Sequence, residues 1–274
     1  MSGFLDDMAQ SSAARVQKAK QRESFAELER RARGTTAGAA LHLSPAGFDV
    51  IAELKLRSPA AGTLGDAADD WLGRVAAYAR GGAAAVSVLT EPSRFDGSLE
   101  HLRQASQVLA PLGVPAMRKD FLVDPYQILE ARAAGAGGVL VILRMLGDER
   151  IAELLDAAAE HHLFVLLEAF DAADLETARR LLSSRGADEA ILIGINSRDL
   201  QTLEVVQRRF SELAPLLPER SHCVAESGVA TPSDALAMRQ LGYRLALIGT
   251  ALMSCDDPAV LLEEILDAAR TPRA

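Results

Sequence analysis

The sequence has 274 residues, of which 49% are hydrophobic and 24% charged; this is enough apolar matter for a sizeable core and excludes a disordered or fibrous chain. A formal net charge of −9 excludes general affinity for nucleic acid or for an anionic membrane surface, so an anionic ligand needs a local cationic pocket. No window approaches the ~20 apolar residues of a membrane span, and Cys223 and Cys255 are too few for a disulfide framework and lack metal-ligand spacing.

Met1 to Arg33 is rich in Arg, Lys, Glu and Gln without a continuous apolar stretch. It does not read as a secretory signal, and a cytoplasmic location is expected. Within it, Gln10 to Arg33 reads as one charged helix, expected to cover an end of the fold rather than to serve as a lid. Beyond it, short apolar runs alternate with longer stretches of helical periodicity, the pattern of βα units on a parallel sheet. Eight strands are predicted: Asp49 to Lys55, Ala83 to Leu89, Val114 to Lys119, Gly138 to Leu143, Leu163 to Ala169, Ala190 to Asn196, His222 to Ser227 and Leu245 to Gly249. Their starts lie roughly 23 to 34 residues apart, near the ~31 that eight equal units of a typical barrel require. Between them, Asp124-Pro125, Asp171 to Asp174 and Thr231-Pro232 open helices, while Gly135 and Gly242 close two. An open doubly wound sheet would show a glycine-rich phosphate fingerprint after its first strand, where this chain has Arg57-Ser58-Pro59. The predicted fold is therefore a (β/α)8 TIM barrel, a single domain with an N-terminal helical extension at about 1–47 and the barrel at about 48–270.

Alternate residues of a barrel strand face the lumen, so Glu53 and Lys55 share one face and Leu54 takes the other. Ions inside a barrel are costly unless paired. Other strands nevertheless end the same way, in Arg118-Lys119-Asp120, Leu167-Glu168, Asn196-Ser197-Arg198 and Glu226-Ser227-Gly228. Those carboxyl ends are where barrels of this kind carry their active sites, so polar groups from several strands converge on one pocket. After the seventh and eighth strands, Ser227-Gly228 and Gly249-Thr250 place small residues and hydroxyls where backbone N–H groups commonly hold phosphate. Lys55 supplies positive charge nearby. His42, His101, His161, His162 and His222 all avoid the strand ends, so no metal site is expected.

These segments resemble the indole-3-glycerol phosphate synthase family of the tryptophan pathway. The matching blocks are Ile51-Ala52-Glu53-Leu54-Lys55 with Ser58-Pro59, Leu89-Thr90-Glu91 with Phe95, Lys119-Asp120-Phe121, Leu167-Glu168, Ile193-Gly194-Ile195-Asn196 with Arg198-Asp199-Leu200, and Ala225-Glu226-Ser227-Gly228. The resemblance implies a lyase that needs no cofactor and acts on one phosphorylated small molecule, 1-(2-carboxyphenylamino)-1-deoxyribulose 5-phosphate. It closes a ring, then expels carbon dioxide and water.

By the same resemblance Lys119 is the general acid of ring closure, assisted by Lys55 and Glu168, with Glu53 and Asn196 orienting them and Glu226 completing the catalytic set. A lysine suits that task better with a lowered pKa, which a crowded cationic pocket would supply. Phe95, Phe121 and Leu140 match the family's slot for the aromatic ring. Ser58 and Arg198 match groups that handle the substrate carboxylate, and Ser227, Gly228, Gly249 and Thr250 match the phosphate cup, with Lys55 as its cation. Neither nucleic acid nor membrane is an expected partner; a monomer or weak homodimer is.

The chain departs from the family at Ala60-Ala61, where serine and lysine are usual, and at Leu56, where a basic residue is common. A paralogue acting on a modified anthranilate stays open. So do a Schiff-base aldolase, which also needs a strand-end lysine, and a non-catalytic barrel that binds a phosphorylated ligand. Phosphoribosylanthranilate isomerase fits less well, because Cys223 begins its strand and no cysteine and aspartate pair stands at the strand ends.

Overall fold

The computed structural model describes residues 3–58, 62–63, 70–183, 185–186, 190–199, 202–219 and 221–270. Eight parallel strands close into a barrel: β1 (Asp49–Leu54), β2 (Ala85–Leu89), β3 (Ala116–Lys119), β4 (Gly138–Ile142), β5 (Phe164–Ala169), β6 (Ile191–Asn196), β7 (His222–Glu226) and β8 (Leu245–Ile248). Each pairs with its neighbours in the chain, and β1 closes on β8 with Ile51 opposite Leu247. No barrel strand is left with a bare edge. A small antiparallel ribbon, Arg57–Ser58 with Gly62–Thr63, follows β1.

Parity along each strand decides what it buries. Ile51, Ala85, Met117, Leu140, Phe164, Leu166, Leu192, Val224 and Leu245 fill the lumen, while Val50, Ala52, Leu54, Val86, Val88, Val139 and Val141 pack outward into the core beneath the helices. Two strands begin two residues later than predicted, and β5 and β6 one residue later. Ala83 N–H donates to Tyr78 O and Val114 N–H to Leu109 O, so these residues finish the preceding helical segments before pairing starts. The helix signals hold: Asp124, Asp171 and Thr231 are N-caps, with Pro125 and Pro232 in the first turn. Gly135 and Gly242 both take positive φ, +85° and +95°, just past helix ends.

The N-terminal extension is two helices rather than one, α1 (Phe4–Arg22) and α2 (Phe25–Gly34). Ser24 breaks it. Its hydroxyl accepts from Glu27 N–H while the Glu27 carboxylate accepts from Ser24 N–H, a reciprocal cap that starts a fresh helix. Helix α2 packs on Tyr126 and Leu129 of the third barrel helix through Leu28 and Ala32. Helix α1 lies across the carboxyl end of the barrel, where Met8 joins the lumen cluster and Arg15 makes a bidentate pair with Asp120 at 2.8 and 2.9 Å.

At the opposite end, Asp49 starts β1 almost fully buried. It pairs with Arg244 at 2.9 Å and Arg270 at 2.7 Å and accepts from Ser44 N–H. Removing this carboxylate leaves two guanidiniums without their partner. Because both still reach solvent, Asp49→Ala is expected to cost about 3 kcal/mol, the lower part of the range for breaking a buried pair. A urea unfolding curve measures it. Arg103→Ala, which breaks an exposed pair with Glu100 on a helix surface, is expected to leave the midpoint in place.

Candidate active site

The carboxyl ends of the strands open onto a cavity of about 420 Å³. Its floor is an ionisable tier to which alternate strands each give one side chain: Glu53 from β1, Lys119 from β3, Glu168 from β5 and Glu226 from β7. The Lys119 ammonium lies 3.0 Å from Glu226, 3.3 Å from Glu168 and 4.0 Å from Glu53. Lys55, one residue beyond β1, donates to Glu53 at 3.1 Å.

This arrangement reverses one expectation. Burial alone would lower the pKa of Lys119, but the carboxyls of Glu226, Glu168 and Glu53 outweigh it and hold the ammonium far above the ordinary lysine range. The lysine's nearest charges are anions, so a lowered pKa does not follow from its surroundings. Glu53 is driven the other way: burial opposes its ionisation, yet Lys55 and Lys119 keep it below the usual carboxylate value. Glu226 is the odd member. Burial and the nearby Glu168 push its carboxyl up to about 8 in spite of Lys119, so it holds its proton to higher pH than an ordinary glutamate.

One side of the cavity is apolar. Phe95 and Phe121 face each other with centroids 6.3 Å apart, and Leu89, Leu140 and Ile142 complete the wall. Local rules place both rings. Glu91 caps the single-turn helix Pro92–Phe95 through the N–H groups of Ser93 and Arg94, and Asp96 ends it at φ +53°, which presents Phe95 to the cavity. Asp120 fixes the turn after β3: it accepts from Phe121 N–H, Thr90 Oγ1, Arg118 and Arg15.

The other side is polar. Asn196 Oδ1 accepts from Ser227 Oγ at 2.9 Å and from Arg198 N–H at 3.0 Å, which ties the end of β6 to the turn after β7. Ser227 and Gly228 both take positive φ in that turn. Gly249 precedes the short helix Thr250–Ser254, whose first turn opens onto the cavity. The Arg198 side chain lines the cavity while donating to Leu203 O at 2.6 Å.

Of the residues singled out from sequence, Glu53, Lys55, Lys119, Glu168, Asn196, Glu226, Phe95, Phe121, Leu140, Arg198, Ser227, Gly228, Gly249 and Thr250 all line this one cavity. The Ser58 side chain and Ala60-Ala61 lie outside the described residues. None of the five histidines is among the lining residues. Sequence reasoning missed Phe4, which reaches the cavity from α1 and meets Phe121 edge-on at 5.8 Å. Helix α1 therefore forms part of the cavity wall as well as a cover, and no local signal in its sequence announces that. Leu89, Ile142 and Leu247 were also missed, although each is in phase with lumen-facing neighbours two residues away.

A sequence-family model described as indole-3-glycerol phosphate synthase matches residues 5–265. The chain belongs to that family. Relatives with the same printed name include one from Nocardioides sp., 45% identical over 79% of each chain, and one from Rhizorhabdus wittichii, 37% identical over 98% of this chain and all of that one. Among solved structures, 3-hexulose-6-phosphate synthase from Salmonella typhimurium aligns with a TM-score of 0.61 at 15% identity, covering 81% of this chain and 98% of that one. Thiamine phosphate pyrophosphorylase from Pyrococcus furiosus aligns at 0.56 and 16%, covering 81% and 94%. At such identities these two share the fold alone. An indole-3-glycerol phosphate synthase family member is a carboxy-lyase of aromatic amino-acid biosynthesis, and among the described residues no helix is long and apolar enough to cross a membrane.

The tier has a measurable linkage. Between the ordinary glutamate value of 4.5 and about 8, the folded protein keeps the Glu226 proton while the unfolded chain has released it. Its contribution to stability is therefore fully present below the lower value and is lost as pH rises through the upper one. Glu226→Gln removes this dependence, so the melting temperature of the variant minus that of wild type is expected to increase between about pH 5 and pH 8.5. A difference that stays flat across that window would contradict the protonated assignment.

Proposed function

We propose that this chain converts 1-(2-carboxyphenylamino)-1-deoxyribulose 5-phosphate into indole-3-glycerol phosphate, carbon dioxide and water. The observation that carries the reading is the position of the Lys119 ammonium, within an ionisable tier bounded by an aromatic wall on one side and small-residue turns on the other. That order matches a substrate with an aryl ring at one end, a phosphate at the other and a ketone between them.

In this reading Phe95, Phe121 and Leu140 hold the anilino ring, and Ser227, Gly228, Gly249 and Thr250 hold the phosphate with Lys55 as counter-charge. Ser58 and Arg198 attend the carboxylate. Lys119 donates to the ketone oxygen as the ring carbon attacks the carbonyl carbon, and the oxygen leaves this step as a hydroxyl. The cationic ring adduct then takes up the electrons of the carboxylate carbon bond as carbon dioxide departs. Departure of the carbon dioxide restores the benzene ring; loss of the hydroxyl as water, with Lys55 as acid, and of a proton from the former sugar methylene beside the nitrogen, accepted by Glu168 after it has stabilised the cation, then forms the indole double bond. Glu53 and Asn196 orient these groups.

The raised pKa of Lys119 refines its part. A fully charged ammonium is a standing hydrogen-bond donor for the developing alkoxide, and preorganised charge of this kind is often the largest catalytic contribution. Glu226, its pKa raised by burial and Glu168 and its carboxyl 3.0 Å away, is placed to return the proton that Lys119 gives up. The same charge disfavours the aldolase reading, because a Schiff base needs a neutral amine. The exposed large apolar residues Phe25, Leu112, Val205, Leu216 and Val260 come from separate elements, which supports a monomer or weak homodimer.

The test is a fluorescence assay for the indole product. Wild type is expected to turn over the anilino-sugar phosphate, and Lys119→Ala to lose roughly 10²–10⁴-fold in kcat. Full activity in the variant would remove Lys119 from the mechanism. A covalent adduct after borohydride treatment would replace the scheme with an imine, and activity confined to substituted anthranilates would select the paralogue.

A further inference from the structure

Two glycines stand in the lumen beside the ionisable tier, on strands that contribute none of its members. Gly194 lies on β6, between Glu168 of β5 and Val224 of β7 in register. Gly249 follows β8. Neither is among the glycines with positive φ, so backbone conformation does not demand glycine at either place.

Space does. A Cβ built on Gly194 would stand 1.9 Å from Glu226 Oε1 and 3.1 Å from Leu166 Cδ1. At Gly249 it would stand 2.6 Å from Glu53 Oε1. The two carboxyl groups rest in the hollows left by the missing methyls. For Glu226 the hollow matters more, because Oε1 has no donor among the described residues while Oε2 is held by Lys119. Packing over Gly194 helps to fix the first oxygen. The strand cannot withdraw to make room, since β6 is hydrogen-bonded on both sides within a closed barrel.

We propose that Gly194 is a positioning residue for the reaction: its bare Cα is the seat that holds the Glu226 carboxyl level with Lys119. An added methyl drives Oε1 toward the cavity and rotates the carboxyl away from the ammonium. A displacement of this size costs on the order of 10²-fold in rate when the group handles a proton. The inference rests on the reading of Glu226 as a participant in the chemistry. Gly249 serves Glu53 in the same way, with a looser overlap.

A structural role is separable from a positioning one. Gly138 is also a lumen glycine, and a Cβ there would strike the Phe164 ring at 2.3 Å, far from any ionisable group of the tier. Gly194→Ala, Gly138→Ala, Glu226→Ala and the double variant Gly194→Ala/Glu226→Ala are compared by melting temperature, kcat, KM and the pH profile of kcat. Gly194→Ala is expected to lose about 10²-fold in kcat with little change in KM and to shift the limb of the kcat pH profile that is lost in Glu226→Ala. Gly138→Ala is expected to lower the melting temperature with the profile unmoved. In the Glu226→Ala background the methyl has room, so the double variant is expected to be as active and as stable as Glu226→Ala alone.

If Gly194→Ala fails to fold while the double variant folds, the overlap with Glu226 is the cause and the proposal stands. Equal additional losses in both backgrounds, or an unmoved pH profile in a folded Gly194→Ala, would overturn it. An inactive wild type would instead overturn the reaction assigned above, and the stability comparison between the single and double variants would still decide whether Gly194 seats the carboxyl.

Discussion

Three carboxyls and one ammonium occupy a single tier of a closed barrel, and most of what surrounds them follows from keeping that charge cluster together. Buried ions are tolerable only when they neutralise one another. The tier meets this condition in two ways: Lys119 sits in reach of all three acids, and the carboxyl of Glu226 is shifted toward its neutral form. Lys55 adds a second cation just above Glu53. The barrel geometry makes the cluster possible, because alternate strands deliver side chains to one level from four directions.

In the proposed reaction that cluster meets a ligand that takes up a proton from Lys119 at its ketone oxygen. A neutral apolar ligand would leave the ammonium facing only its own carboxyls. The polar turns after β6, β7 and β8 and the aromatic wall after β2 and β3 sit on different sides of the tier, so a long ligand with unlike ends has one orientation. Helix α1 finishes the aromatic side through Phe4 and is itself fastened through Arg15 to Asp120, the residue next to Lys119.

Much of this was legible in the sequence because strand parity and strand-end position are local properties. Glu53 and Lys55 two apart, or Lys119 and Glu168 at the ends of their strands, declare a lumen-facing polar set by position along the chain alone. The helix breaks were legible where a cap and a proline coincide, as at Asp124-Pro125. The Ser24 and Glu27 pair carried the same information and was read through as one helix. What stayed hidden was relational. The pKa of Lys119 depends on which charges three other strands bring to it, and counting lysines along the chain suggested cations where the fold supplies anions. Phe4 and Arg15 belong to the cavity only through contacts more than 100 residues away, as the Arg15 and Asp120 separation of 105 shows.

The two ends of the described chain are sorted to opposite poles of the barrel. Phe4 stands at the rim of the cavity, whereas Arg270 is clamped to Asp49 and to Phe48 O beneath the first strand. Arg270 therefore stands at the pole away from the mouth of the cavity. Phe4 stands beside the cavity, so bulk added at its side chain would crowd that space, whereas bulk added at Arg270 would not.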